Sequence, residues 1–406
     1  MPTLSSAGVA IRPGIFAELQ RQIDAQMAKG ADLVPLHLGD TYLDPPEAAR
    51  FESVLSGDEG NAPYRYGPVA GISELREAIA EHLRAKGRAF ASIEGLRDVL
   101  VGAGATHALS CAARVVLDPG DDVLLLAPYW PLAHGVIQGA GGRAIEVPFT
   151  SRLYEDPRLR PADLLGEALT PKTRAIYLIT PNNPDGKVLS AGDLADIATF
   201  ACDHDLWVFA DECYADFTYD VPHVSTASLP GMRERTVTAY SFSKSHGLAG
   251  ARVGYVVAPE AVVAAARRVS MHTVFNVPLV MQRAAAAALH AGPEWTRNAL
   301  LAYRRARDAS VLALRPAPDK ASIRLFVPEG GTYLFLDFTE VLGDEPLSRL
   351  LERAIEGGVL IAPGAGFGRH YARWGRLCFT AAPLPRVLLG IARLRAAVDA
   401  LRDVAP

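Results

Sequence analysis

Ser241-Phe242-Ser243-Lys244-Ser245-His246-Gly247-Leu248-Ala249-Gly250-Ala251-Arg252-Val253-Gly254-Tyr255 is the stretch on which the reading of this chain turns. Two hydroxyls, a glycine-punctuated backbone and a guanidinium surround one amine, which is what a site needs to hold a phosphate beside a reactive nitrogen. A lysine so placed can form an imine with an aldehyde. The chain otherwise favours arginine, its lysines being Lys29, Lys86, Lys172, Lys187, Lys244 and Lys320. An ammonium at 244 is therefore a chemical choice, because arginine does not deprotonate.

Around this stretch, short apolar runs alternate with amphipathic ones: Val99 to Val101, Val123 to Leu126, Ala175 to Ile179, Leu206 to Ala210, Thr236 to Tyr240 and Val253 to Val257. Runs this short suit strands buried on both faces with helices between them, and predict an α/β fold with a mostly parallel sheet. Beyond about Asn298 come a long helical pattern, Phe335 to Phe338, a helix from Leu347 to Glu356 and a strand from Gly375 to Phe379, which read as a smaller α+β domain.

The composition bounds the function. With 406 residues, 50% of them hydrophobic, the chain can bury a large core. A net charge of -4 gives no basic footprint for nucleic acid. Cys111, Cys202, Cys213 and Cys378 are widely spaced and form no C-x-x-C pair, and the histidines show no H-E-x-x-H spacing, so neither a disulfide framework nor a metal is expected. No apolar run reaches the roughly 18 residues that span a bilayer, and the first residues lack a secretory pattern, so no membrane association and a cytoplasmic location are expected.

In parallel sheets ligands sit beyond the carboxyl ends of the strands. Gly102-Ala103-Gly104-Ala105-Thr106 opens a helix whose free N–H groups and Thr106 hydroxyl make an anion site, worth about 0.3 to 2 kcal/mol from the helix dipole. A dinucleotide fingerprint is the rival, but position 107 is His and no acid for a ribose follows the next strand. Ala127-Pro128-Tyr129-Trp130-Pro131 ends in an aromatic that either packs or stacks on a ligand. Thr180-Pro181-Asn182-Asn183-Pro184-Asp185-Gly186 is, by composition, a proline-bounded turn. In Asp211-Glu212-Cys213-Tyr214, an aspartate directly after five apolar residues needs a cation or hydrogen bonds, unless it caps a helix. In Gly375 to Phe379, Arg376 faces away from Leu377 and suits a carboxylate, with Arg369 and Arg373 as competitors.

Taken in order, these motifs resemble the fold-type I pyridoxal 5'-phosphate (PLP) enzymes, class I/II aminotransferases in particular, over roughly residues 12 to 400. The resemblance implies a large domain at 51–298 with a seven-stranded, mostly parallel sheet, and a discontinuous small α+β domain from 1–50 and 299–406. It implies a Schiff base on Lys244, with Asp211 on the ring nitrogen and Tyr214 and Asn183 on the phenolic oxygen. Trp130 would lie on the ring, and the phosphate would be held by Ala105, Thr106, Ser241, Ser243 and Arg252. Gly39 and Arg376 would hold the substrate carboxylate. Tyr66 would reach the phosphate of a neighbouring subunit, making a homodimer with shared sites. The implied reaction moves an amino group from an L-amino acid to a 2-oxo acid, with a PLP-dependent β-elimination lyase or cyclising synthase as the alternative on the same fold. A regulator is disfavoured, since only about 40 residues precede Gly39, with no basic helix-turn-helix pattern. The family's two cis prolines map to Ala127-Pro128 and Asn183-Pro184, and Asp185 stands where the family usually has threonine, which should change loop hydrogen bonding alone. Phe16, Phe275, Tyr333 and Phe367 are expected to line the pocket, favouring an apolar or aromatic amino acid.

Overall fold

Each apolar run becomes a strand buried on both faces. The computed structural model describes residues 2–5, 8, 9, 11, 14, 19–55, 60–88, 96–315 and 322–402. Its strands are β1 (Val34–Pro35), β2 (Val99–Ala103), β3 (Asp122–Ala127), β4 (Arg143–Pro148), β5 (Thr173–Ile179), β6 (Trp207–Asp211), β7 (Thr236–Ser241), β8 (Val253–Val257), β9 (Arg324–Leu325), β10 (Tyr333–Asp337), β11 (Val359–Leu360), β12 (Ala362–Pro363) and β13 (Trp374–Cys378). Seven of them form one sheet in the order β2-β8-β7-β6-β5-β3-β4. β8 runs antiparallel to both of its neighbours, and the other pairings in the sheet are parallel.

The two-residue period of a strand sorts the core into layers. Leu125, Tyr177, Phe209 and Val237 pack on one face with the Ala105–Val116 and Pro131–Gly139 helices. Leu124, Leu126, Ile176, Leu178 and Val208 pack on the other with the Ala191–Asp203 helix, which starts at a capping box between Ser190 and Asp193. β4 is the strand that no apolar run announced. It lies at the sheet edge and carries Arg143 and Glu146, so it needs only one neighbour and only partial burial.

A second sheet, β12-β13-β10-β9, is antiparallel, and its Leu334, Leu336 and Leu377 pack with the Glu294–Leu314, Leu347–Glu356 and Leu384–Arg402 helices. β1 pairs in parallel with β11, and the Cys378 N–H donates to the Leu36 carbonyl at 2.8 Å, so the chain's early segment lies against its last third. Among the described residues no helix is long and apolar enough to cross a membrane.

One ionic clamp fixes the turn that follows β6. Arg88 Nη2 donates to the Ala215 carbonyl at 2.8 Å and to Asp216 Oδ1 at 2.9 Å, with Lys86 Nζ 3.6 Å from the same carboxylate. Burial would raise the Asp216 pKa, but the charges of Arg88, His82 and Lys86 outweigh it and hold the carboxyl well below the usual range. A carboxyl lowered in the folded state contributes stability above its unfolded pKa, near 4, and loses it as pH falls through the folded value. Asp216→Asn, which leaves Arg88 buried without its counter-charge, should cost about 3 kcal/mol in urea denaturation at pH 7. The gap between the two proteins should narrow progressively below about pH 4. An equal gap at pH 7 and pH 3 would show that the pair is not what holds this turn.

Candidate active site

The carboxyl ends of the parallel strands, the amino end of antiparallel β8 and one strand of the second sheet converge on a cleft of about 310 Å³. At the end of β2, Gly104 takes φ 80°, and a β-carbon there would come within 2.5 Å of an Arg252 guanidinium nitrogen. Glycine thus lets the first turn of the Ala105–Val116 helix open beside that cation, with its amides lacking intrahelical acceptors. Ser241 ends β7 and accepts from the Ser243 N–H at 3.2 Å, and both residues line the same corner as Ala105, Thr106 and Arg252. Arg252 comes from the start of β8. It reaches this edge because β8 runs against the other strands, an arrangement that inspection of strand carboxyl ends alone would overlook.

The consecutive acids after β6 part company. Glu212 turns away from the cleft, and its carboxylate accepts from the Thr226 N–H (2.8 Å), Tyr240 Oη (2.7 Å), Ser225 Oγ (3.2 Å) and His223 Nε2 (3.1 Å). Burial opposes its ionisation, but His223 and these donors bring the pKa below the usual value. Asp211 lines the cleft, is also buried, and among the described residues accepts only from Cys213, its backbone N–H lying at 3.1 Å. Burial pushes the Asp211 pKa up, the Glu212 charge adds to this, and Cys213 and the Lys244 charge pull against it. Of the two carboxylates, Asp211 is the one with capacity for a further cationic donor.

Lys244 enters from the short helix after β7 and donates to the Gly39 carbonyl. Tyr214 is buried with its hydroxyl 2.7 Å from that of Tyr333, and burial followed by the Tyr333 neighbour raises its pKa well above the usual value. Trp130, half-buried, precedes the Pro131–Gly139 helix and lines the cleft wall. Arg376 on β13 is 6% exposed, yet it meets only neutral groups: Nη1 donates to Asn183 Oδ1 at 3.0 Å and Nη2 to the His37 carbonyl at 2.9 Å, and the guanidinium carbon lies 4.2 Å from the centre of the Tyr333 ring. Among the described residues no carboxylate pairs with it. Burial, and secondarily the charge of Arg376, lowers the His37 pKa to about 4, so that ring is neutral at pH 7. The competing arginines are engaged elsewhere, Arg369 with Glu146 and Arg373 with the Gly343 carbonyl.

The cleft thus gathers Gly39, Ala105, Thr106, Trp130, Asn183, Asp211, Tyr214, Ser241, Ser243, Lys244, Arg252 and Arg376. Tyr66 stands apart: it is 86% exposed, borders a separate surface hollow with Asn276 and Leu279, and packs edge-on against Phe275 at 5.2 Å. Phe275 thus packs beside Tyr66 at the surface and does not line the cleft. Of the other aromatics expected in the pocket, Tyr333 lines it, Phe367 is buried with its ring centre 5.0 Å from the Arg376 guanidinium, and Phe16 lies outside the described residues. Leu38, Leu132, Ile179, Cys213 and Ala249 complete the lining without having been anticipated, since small and apolar side chains show no function even where, as at Ile179, Cys213 and Ala249, they stand within or beside a motif.

The proline expectation needs one correction. Ala127-Pro128 is cis as expected, but the second cis bond is Thr180-Pro181, not Asn183-Pro184. The chain breaks from the sheet at the first proline after β5, while 182–187 closes as a hydrogen-bonded loop through Asn182 N–H to Lys187 O (2.8 Å) and Gly186 N–H to Asn182 O (3.0 Å). Asp185 does sit in a loop network: it accepts from Thr150 Oγ1, from Asn182 Nδ2 at 2.8 Å and from the Lys187 N–H at 3.1 Å. Asn182 also donates to the Pro128 carbonyl at 3.0 Å, joining the loop that bears Asn183 to the one that bears Trp130.

Comparison with known proteins agrees with this geometry. The family described as aminotransferase class I and II matches residues 31–389. An arginine–pyruvate transaminase of Pseudomonas aeruginosa is 34% identical over 87% of each chain, and an aromatic-amino-acid aminotransferase of Thermococcus litoralis is 32% identical over 90% of this chain and 92% of its own. Among solved structures, Thermus thermophilus aspartate aminotransferase with maleate superposes with a TM-score of 0.87 at 28% identity, covering 98% of this chain and all of the other. An aromatic aminotransferase from Pyrococcus horikoshii gives 0.83 at 29%, covering 95% of this chain and all of the other. Matched along most of its length in both sequence and fold, this chain belongs to the class I and II aminotransferases, PLP-dependent enzymes of fold type I.

Proposed function

We propose that this enzyme moves the amino group of an L-amino acid to a 2-oxo acid, with PLP held by the cleft residues and Lys244 as the reacting amine. The observation that carries the reading is a pair of buried, under-compensated charges in one cleft with a lysine: among the described residues Asp211 is bonded only to Cys213, and Arg376 only to neutral oxygens. Each suits a ligand group of opposite charge, a protonated ring nitrogen for Asp211 and a carboxylate for Arg376.

The residues fit the cofactor. The first-turn amides of Ala105 and Thr106, the hydroxyls of Thr106, Ser241 and Ser243, and the Arg252 guanidinium form a cradle for a phosphate dianion. Trp130 offers a face for the ring, and Asn183 and Tyr214 offer donors for its phenolic oxygen. When bound, PLP supplies an aldehyde carbon that condenses with amines and a pyridine ring that accepts the electron pair left by a departing α-proton.

Lys244 would serve as general base and acid in turn, taking the substrate α-proton onto its Nζ and giving it back in the second half of the transfer. The Gly39 carbonyl holds the Lys244 amine at the site when it is free. Asp211 stabilises positive charge on the ring nitrogen from a fixed, water-poor position, where such an interaction counts for more than in water. Arg376 and the Gly39 backbone orient the substrate through its carboxylate.

The finer organisation belongs to the same proposal. Residues 51–298 form the large domain and 1–50 with 299–406 the small one, a division supported by the β1–β11 pairing. Tyr66, exposed and turned from its own cleft, serves the site of a second copy in a homodimer. The free cysteines suit a cytoplasmic setting.

Lys244→Ala should lose the visible absorbance band that borohydride reduces, and its amine transfer to a 2-oxo acid should fall by about 10³-fold or more. Wild-type-like transfer by this variant would remove Lys244 from the chemistry. Arg376→Ala should raise KM for the amino-acid donor by about 100-fold, with a much smaller effect on a donor amine that has no carboxylate. Equal losses for both donors would show that Arg376 supports the fold and does not bind substrate.

A further inference from the structure

Tyr333 touches three parts of the site at once. Its hydroxyl is 2.7 Å from that of Tyr214, its ring centre is 4.2 Å from the Arg376 guanidinium carbon, and its hydroxyl packs so closely on Gly39 that a β-carbon at 39 would lie within 1.8 Å of it. Gly39 is the residue whose carbonyl holds Lys244, and Arg376 is bonded to Asn183. The residue is 2% exposed and projects from β10, where it pairs with Cys378 of β13 two positions beyond Arg376. Neither its ring nor its hydroxyl is free to turn elsewhere.

We infer that Tyr333 is a positioning residue: its hydroxyl donates to the Tyr214 oxygen and so directs the Tyr214 proton toward the cofactor's phenolic oxygen, while its ring supports the Arg376 guanidinium that binds the substrate carboxylate. This rests on the functional reading above. The direction of the hydroxyl pair follows from counting protons. A tyrosine hydroxyl carries one, and if Tyr214 gives its own to the phenolic oxygen, the hydrogen bond to Tyr333 must be made with the Tyr333 proton. A donor into the Tyr214 oxygen polarises the Tyr214 O–H and strengthens its onward bond. The ring below Arg376 is attracted to the cation and excludes water from the guanidinium face.

The consequence is measurable without turnover. A donor on the phenolic oxygen draws negative charge from it and lowers the proton affinity of the Lys244 nitrogen joined to the same ring. Among the described residues, the other titratable and charged groups around that nitrogen and Tyr214 are Asp211, Glu212, Cys213, Arg252, Arg376 and Cys378. None of them is altered by removing one oxygen from Tyr333.

The test is a pH titration of the visible absorbance of the PLP-loaded enzyme. Tyr333→Phe keeps the ring and removes the donor, and its midpoint should rise by about 0.5 pH unit, a change of about threefold in the proton equilibrium. In a Tyr214→Phe background the same substitution should shift nothing, because the oxygen that receives the bond is gone. Tyr333→Leu, which also removes the ring, should raise KM for the amino-acid donor about threefold or more above that of Tyr333→Phe. Identical midpoints for wild type and Tyr333→Phe, or equal shifts in both backgrounds, would overturn the hydroxyl role. Equal KM values for the Phe and Leu variants would overturn the ring role. If the wild-type enzyme shows no Lys244-dependent band at all, the functional reading fails and takes this inference with it; a band present in both proteins with one midpoint defeats the inference alone.

Discussion

The site depends on a carboxylate buried without a full complement of donors. Asp211 ends β6 in the middle of the large sheet, with β5 on one side and β7 on the other. Desolvating a charge costs several kcal/mol even after the protein relaxes. Glu212, the next residue, shows how this fold removes such a cost when nothing else is asked of the side chain: four donors converge on it. Asp211 receives only Cys213, and burial raises its pKa in consequence. A protein that holds both solutions side by side keeps the incomplete one open to a further donor, and a protonated ring nitrogen is the group proposed to complete it.

Rigid surroundings keep that reserve in place. The turn after Asp211 carries Tyr214, and it is held from behind by Arg88, which bonds both the Ala215 carbonyl and Asp216. On the opposite side of the cleft, the loops after β3 and β5 are joined by Asn182, whose amide reaches the Pro128 carbonyl and the Asp185 carboxylate. Buried ionic and polar contacts of this kind are a weak source of stability but a strong source of geometry, since few alternative packings satisfy all of their groups. Here they sit one layer behind the side chains that face the cleft. The cleft side chains keep free capacity because their supports do not.

Much of this was legible in the sequence, for stated physical reasons. Short apolar runs gave six of the seven strands of the large sheet, because a strand buried on both faces leaves no polar alternation to disguise it. β4 escaped because an edge strand is solvated on one side and holds Arg143 and Glu146. Polar residues at strand ends pointed to the cleft, and all but one of the residues expected to hold cofactor or carboxylate line it, whereas of the aromatics expected in the pocket Tyr333 does. The exception, Tyr66, was assigned from resemblance to a site on another subunit, and in the single chain it is exposed. The misplaced cis bond at Asn183-Pro184 has a simple origin: two prolines three residues apart fit the motif equally well, and only the path of the chain out of β5 separates them.

What the sequence does not carry is the relation between residues that meet across the two sheets. Tyr333 was expected to line the pocket, and it does, but its apolar strand, Tyr333-Leu334-Phe335-Leu336, does not say what it meets there. Nothing in that run tells which side chain of β10 will meet a tyrosine from the turn after β6. The structure supplies the answer through register. Tyr333 pairs with Cys378 and Phe335 with Arg376, which sets the Tyr333 ring beside the guanidinium, and the same placement leaves its hydroxyl within bonding distance of Tyr214. One side chain thus ties Arg376 to Tyr214, the residues proposed to meet the substrate carboxylate and the cofactor. A shift of the small sheet that moves Arg376 also moves the ring beside it, and with that ring the hydroxyl that bonds Tyr214.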